Sequence, residues 1–234
     1  MTDHTPGASR RAEVVRGVRA SFAAGLGMYP LGVAFGLLVV QAGLPWWLAP
    51  ALSLAAFAGS LELLLVGMIA TGTSLLGIAA TTLVVNFRHV FYSFSFPLHV
   101  VRHPLARAYS VYALTDEAYA MTAVRPGSWT SWRLLAMQLC FQLYWVGGGL
   151  TGVAIASLMP GPIDGLEFAL CALFITLTLD AARSGQDLPS LLLGAGAFAV
   201  AVLIAPDSVL FVGLLLFVAF LVVRHLTHRG GAHA

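Results

Sequence analysis

The stretch Val84-Val85-Asn86-Phe87-Arg88-His89-Val90-Phe91-Tyr92-Ser93 lies in the middle of an apolar run that extends from about Ser74 to Val101. A guanidinium at that depth on a membrane-crossing segment costs between about 2.5 and 17 kcal/mol unless it is paired or faces water. On a helix, Asn86, His89 and Tyr92, joined by Ser93, fall at i, i+3 and i+6 or i+7 and make one polar stripe. The stripe implies a bundle of apolar helices wrapped around it. The competing reading is that Arg88 snorkels or caps a broken helix end.

Composition points the same way. Of 234 residues, 59% are hydrophobic and 9% are charged, and the mean hydropathy is +0.89. A soluble domain carries roughly a quarter charged residues, so the chain is read as an all-α, polytopic transmembrane helix bundle. The basic residues are all Arg, and a net charge of +2 is too small and too scattered to suggest nucleic acid. Cys140 and Cys171 both fall in apolar runs and offer neither zinc spacing nor a disulfide framework.

Residues 1–17 read as a disordered cytoplasmic tail, 18–224 as one transmembrane domain, and 225–234 as a second cytoplasmic tail. The apolar runs sum to about seven to eight spans. The first, about Ala20 to Val40, is too long for a signal peptide and has no small-residue cleavage site behind it. It contains Pro30, which removes a backbone donor, and the small-x-x-x-small pair Gly32 and Gly36; a broken or re-entrant helix is expected there. The second, about Trp47 to Ala70, carries Ser60 and Glu62, a carboxyl that in hydrocarbon stays neutral or finds a cation such as Arg88 or His89. The third holds the opening stripe, with a second break expected at Asn86–His89. The fourth, about Ala108 to Val124, contains Asp116 and Glu117, and one of these adjacent acids can face the interior.

In the fifth span, Leu134 to Met159, the residues Gln138, Gln142, Trp145, Gly149 and Gly152 share a face. Packing explains the glycines; a lined cavity explains the glutamines better. Gly147-Gly148-Gly149 also loosens this helix. The sixth, seventh and eighth spans, from about Leu166, Leu188 and Val209, carry almost no interior polarity and read as scaffold. With eight spans and the N-terminus inside, Arg10, Arg11, Arg16, Arg19, Arg125, Arg133, Arg183, Arg224 and Arg229 lie inside and only Arg102 and Arg107 outside. This places both termini in the cytoplasm by the positive-inside rule. There is no G-x-x-x-x-G-K-[ST], H-E-x-x-H or G-x-S-x-G, so no nucleotide engine or hydrolase motif is encoded.

Pro30 in a Gly-rich first span, Ala58-Gly59-Ser60, Asn86-Phe87-Arg88-His89 with Tyr92-Ser93, and Thr115-Asp116-Glu117 occur in one order and at one spacing. In this the chain resembles the AzlC family, the large subunit of bacterial branched-chain amino acid exporters. The resemblance covers about residues 15 to 225 and is strongest in the first half. It implies export of hydrophobic amino acids on the proton gradient across the cytoplasmic membrane, with a small AzlD-type partner. Many members carry Gln where this chain has Glu62.

Two classes of function follow. The first is a secondary transporter, with Pro30, Gly32, Ser60, Asn86, Arg88, His89, Tyr92 and Gln142 binding the substrate. Glu62, Asp116 and Glu117 handle the proton, and no cofactor or metal takes part. The second is an intramembrane enzyme or metal site built from Glu62, His89 and Asp116. Arg88 is expected to pair across helices with Glu62, Asp116 or Glu117.

Overall fold

The structure is a computed structural model that describes residues 9–124, 126–159, 161, 165, 168, 171–172, 175, 188–206 and 209–230; at 210 and 225–230 only the backbone is described. The described residues are mostly helical and contain no strand. The chain is an all-α membrane helix bundle. Its helices are α1 (Arg10–Gln41), α2 (Leu48–Ala55), α3 (Gly59–Ala70), α4 (Leu75–Asn86), α5 (Arg88–Tyr92), α6 (Pro104–Tyr112), α7 (Asp116–Val124), α8 (Ser131–Leu158), α9 (Leu188–Ile204) and α10 (Val209–Gly230), with a 3₁₀ turn at Leu98–Val100. Helix α1, the segment Leu75–Tyr92 and helix α8 are each long and apolar enough to cross a bilayer. The expected sixth span and Asp180 and Arg183 lie outside, or almost wholly outside, the described residues.

The described helices fall into two compact units. One comprises Met1–Gly72 with Phe87–Pro162, and the other Thr73–Asn86 with Ile163–Ala234. In the second unit α9 packs on α10 and α10 on α4. There the Gly213 backbone lies against the Phe198 ring, which a Cβ would approach to 2.8 Å, and Arg224 donates to Ser190 Oγ at 2.8 Å.

The first unit is built on α1 and α8. Gly17 lies on the Arg133 carbonyl, Gly25 on the Tyr144 ring, Gly32 on Trp145 and Gly148, and Gly36 on Gly149 and Val153. The partner numbers rise together, so the two helices run parallel. Parallel spans require an odd number of crossings between them, and three were expected between residues 47 and 124. A Cβ on Gly32 would stand 2.7 Å from the Trp145 carbonyl oxygen, and one on Gly36 or Gly152 would overlap the facing backbone. In hydrocarbon such contact rests on dispersion and weak Cα–H···O bonds rather than on apolar burial.

Several expectations are corrected. Helix α1 runs unbroken through Pro30, whose side is exposed. A proline removes one helical hydrogen bond, and the backbone contacts with α8 on the opposite, glycine-bearing side hold the helix across that gap. Helix α8 is also continuous through Gly147-Gly148-Gly149. The breaks lie elsewhere: Ala56–Ala58 between α2 and α3, Phe87 between α4 and α5, and Ala113–Thr115 between α6 and α7. Only the break at Asn86–His89 was expected, and it divides the polar stripe. Helix α1 begins at Arg10, within the stretch 1–17 read as an N-terminal tail. Ser9 Oγ accepts from Ala12 N–H at 3.3 Å, and buried Glu13 joins Thr130 at 2.7 Å. At the other end α10 carries the chain as helix to Gly230, through most of the expected second tail.

Overpacking the α1–α8 contact should be costly. Gly36→Val should lower unfolding stability in mixed micelles by about 1–3 kcal/mol or more. Gly27→Ala, where nothing lies within 4 Å, should be neutral or slightly stabilising.

Candidate functional site

The α2–α3 break is closed by Glu62. Phe57, buried, takes a positive φ of 43°, a conformation that a bulky residue adopts only under tertiary constraint. The chain turns there into α3, and Glu62 in its first turn reaches back: Oε1 accepts from Ala58 N–H at 3.0 Å. Oε2 accepts from Ser53 Oγ at 2.7 Å and from Trp145 Nε1 at 2.9 Å. Glu62 is 0% exposed, and three donors meet the oxygens of a carboxyl that hydrocarbon could not solvate. The expectation was a neutral carboxyl or a cation as partner; the structure supplies N–H and O–H groups, and Arg88 goes elsewhere. Trp145 stacks on Phe35 of α1 at 5.8 Å between centroids, and a Cβ on Gly59 would come within 2.8 Å of its ring. Gly59 is therefore the residue that lets α3 approach the indole.

The α6–α7 break is closed by Gln138. Its Nε2 donates to the carbonyls of Ser110 and Ala113, both at 2.9 Å, and its Oε1 accepts from Ser110 Oγ at 2.8 Å. Gln138 thus serves backbone rather than the lined cavity expected for it. One turn on, Gln142 Oε1 accepts from Tyr109 OH at 3.0 Å and Nε2 donates to Tyr112 OH at 2.9 Å. Tyr112 OH donates in turn to the Leu54 carbonyl at 2.7 Å. This chain of bonds ties α8 through α6 to the end of α2.

Arg88 stands between the two restarted helices. Its Nη2 donates to Ser60 Oγ at 3.0 Å, at the start of α3, and pairs with Asp116 Oδ2 at 2.7 Å, at the start of α7. The other carboxylate oxygen of Asp116 accepts from Tyr92 OH at 2.8 Å. Tyr92 is stacked on Tyr119, centroids 4.2 Å apart and planes 9° from parallel, and His89 meets it edge-on at 5.3 Å. The pair is open, with the two side chains 42% and 45% exposed, yet the Arg88 Nε–H is buried and has no hydrogen-bond partner among the described residues. Two helix N-termini carry partial positive charge, which Asp116 and Glu117 balance in α7 and Glu62 in α3. A half-exposed guanidinium beside these N-termini can take a carboxylate, and the half-exposed acid beside it can take an ammonium.

Of the residues singled out by sequence, Ser60, Arg88, Tyr92 and Asp116 meet, with His89 against Tyr92. Glu62 lies two residues beyond Ser60 on α3. Glu117 is half-buried in the first turn of α7, and no ion pair to it occurs among the described residues. Gln142 is committed to Tyr109 and Tyr112. Gly32 packs on α8, Pro30 faces outward, and Asn86 closes α4 in the second unit. Glu62, His89 and Asp116 are not gathered into a group that could hold a metal; among the described residues no such group of three occurs. Ser53, Trp145, Tyr112 and Gln138 were not expected in these roles. Ser53 and Tyr112 carry no sequence signal of them, whereas Thr115-Asp116-Glu117 has the composition of a helix start.

The model of the AzlC protein family matches residues 23–159, more than half of the 234-residue chain. The chain belongs to the AzlC family. The match takes in both buried break-closing networks and the Arg88 site, and it ends one residue after α8. An uncharacterized membrane protein of Haemophilus influenzae is 27% identical over 181 residues, 74% of this chain and 73% of the relative. One of Helicobacter pylori is 28% identical over 158 residues, 66% and 69%. The branched-chain amino acid transport protein AzlC of Bacillus subtilis is 28% identical over 153 residues, 64% of this chain and 60% of that protein. No solved structure matches.

The Arg88–Asp116 contact in this AzlC chain should show as coupling between the two positions. Arg88→Ala and Asp116→Ala should each destabilise, and the double variant should lose less than the sum by on the order of 0.5–3 kcal/mol. The exposure of the pair argues for the lower part of that range. Additive losses in micelle unfolding would show that the two groups do not interact.

Proposed function

We propose that the chain is the transport subunit of an exporter that carries branched-chain or other hydrophobic amino acids across the cytoplasmic membrane, and not an enzyme. The observation that carries this reading is Arg88, held by Ser60 and Asp116 between two helix N-termini with its Nε–H unspent. The substrate carboxylate binds Arg88, and the ammonium binds Asp116, with Glu117 beside it. The stacked Tyr92–Tyr119 pair offers a flat apolar flank to the side chain. The name of the Bacillus subtilis relative, a branched-chain amino acid transport protein, supports the substrate class.

Uphill export needs an energy source, and the chain has no nucleotide motif. We assign the coupling to protons and the carrier role to Glu62. Ionised, Glu62 is held by three donors; once protonated, it no longer accepts from all of them with the same strength. The Ala58 N–H and the Trp145 indole are then loosened, and the α2–α3 break can move. Ser60 lies two residues from Glu62 and holds Arg88, so protonation is transmitted to the substrate site along α3. The expected orientation has both termini in the cytoplasm, and a small AzlD-type subunit completes the exporter. Transport by this chain alone in reconstituted vesicles would show that the subunit is dispensable.

The deciding experiment is transport in inverted vesicles with an imposed pH gradient. Glu62→Gln keeps one of the two acceptor oxygens and the size of the side chain but cannot titrate. It should retain substrate exchange and lose gradient-driven accumulation. Accumulation by the variant on a pH gradient alone would remove Glu62 from the coupling role.

A further inference from the structure

A cavity of about 560 Å³ opens between the first turns of α1, the end of α7 and the start of α8. It is lined by Arg16, Arg19, Arg133 and Trp129, with Met121 and Val124 as its apolar part. It shares none of the groups of the Arg88 site. Three arginines line it, and among the described residues the carboxylate beside Arg16, that of Glu13, is already occupied. Glu13 Oε1 takes Arg16 Nη1 at 2.6 Å and Oε2 takes Thr130 Oγ1 at 2.7 Å. Arg133 lies over the Trp129 ring, 4.5 Å from its centre, and its Nη1 donates to the Ser128 carbonyl at 2.9 Å.

Two buried donors on residues that line it have no hydrogen-bond partner among the described residues: Arg133 Nε and the indole Nε1 of Trp129, a residue that also borders a neighbouring cavity with His99 and Thr122. Trp129 is only 6% exposed. Buried N–H groups are almost always paired, so two of them side by side with an excess of positive charge mark the place of an acceptor that is anionic. Guanidinium groups and an indole N–H are the donors that phosphate oxygens take, and Arg is suited to contact them at two points. Met121 and Val124 give the same cavity an apolar side that a free inorganic ion has no use for.

We propose that this cavity binds a phosphate-bearing anion, the headgroup phosphate of an anionic glycerophospholipid of the surrounding bilayer. Arg19 and Arg133 are its main cationic contacts, Trp129 Nε1 donates to an oxygen, and the apolar wall takes the glycerol and the start of an acyl chain. Such a lipid would pin the start of α1 to the α7–α8 turn.

The test is native mass spectrometry of the full chain in micelles doped with phosphatidylglycerol, phosphatidylcholine or inorganic phosphate. Wild type should retain phosphatidylglycerol over phosphatidylcholine. Arg19→Gln, whose side chain makes no described bond within the fold, should lose that retention about fivefold, and Arg19→Gln/Arg133→Gln should lose it further. Arg107→Gln, remote on α6, should change nothing. Equal retention of the two lipids by wild type, or retention unaffected by Arg19→Gln, overturns the proposal. Displacement of the lipid by low concentrations of inorganic phosphate, with equal protection against thermal unfolding, would make free phosphate the ligand and overturn the lipid assignment.

Discussion

Hydrocarbon offers no partner to a free backbone N–H or C=O, so a helix can open inside a bilayer only where the rest of the protein supplies the missing bonds. Two openings in this chain meet that constraint with buried polar side chains from distant segments. Glu62, Trp145 and Ser53 close the turn before α3, and Gln138 and Ser110 close the turn before α7. Helix α8 supplies Trp145 and Gln138, and α8 is itself fixed by glycine contacts along α1. The glycine-faced pair therefore serves as the frame from which both breaks are held.

The location of the proposed site follows from those breaks. Each restarted helix begins with polar residues that a continuous span would not tolerate: Ser60 and Glu62 in one, Thr115, Asp116 and Glu117 in the other. Arg88 lies near a break of its own and reaches both starts with one nitrogen. A guanidinium that would be prohibitive on an unbroken lipid-facing helix is thereby paired and half open. Glu62, one of the three acids that sequence reasoning offered as partners of Arg88, is instead linked to it through the short run of α3 between Ser60 and Glu62. That separation is what allows one group to handle a proton while the other handles a substrate in the proposed mechanism.

Much of this was legible in the chain. Depth in an apolar run made Arg88 a residue that needed an acid, and Asp116, with which it pairs, was among the three candidates. The helix break beside it and the packing role of the glycines in α8 were also expected. Pro30 misled, because a proline speaks for one missing hydrogen bond, whereas the breaks that form depend also on side chains tens of residues away. Glu62 and Ala58 are close in sequence, but the bonds from Trp145 and from Tyr112 to the α2 end cross long separations. No local pattern announces them. Ala58-Gly59-Ser60 and Thr115-Asp116-Glu117 did carry the composition of helix starts, and read as starts inside spans they locate both breaks.

Everything proposed for function turns on Arg88 receiving a carboxylate. The most direct measurement is calorimetric binding of leucine and of its carboxylate-free amine analogue to the purified chain, in wild type and in Arg88→Gln. The account predicts that wild type binds leucine and discriminates against the amine by at least about tenfold, the scale of one charge-assisted hydrogen bond. Arg88→Gln should lose that discrimination while keeping its fold. Equal binding of both compounds by wild type, or undiminished preference for leucine in Arg88→Gln, would contradict it.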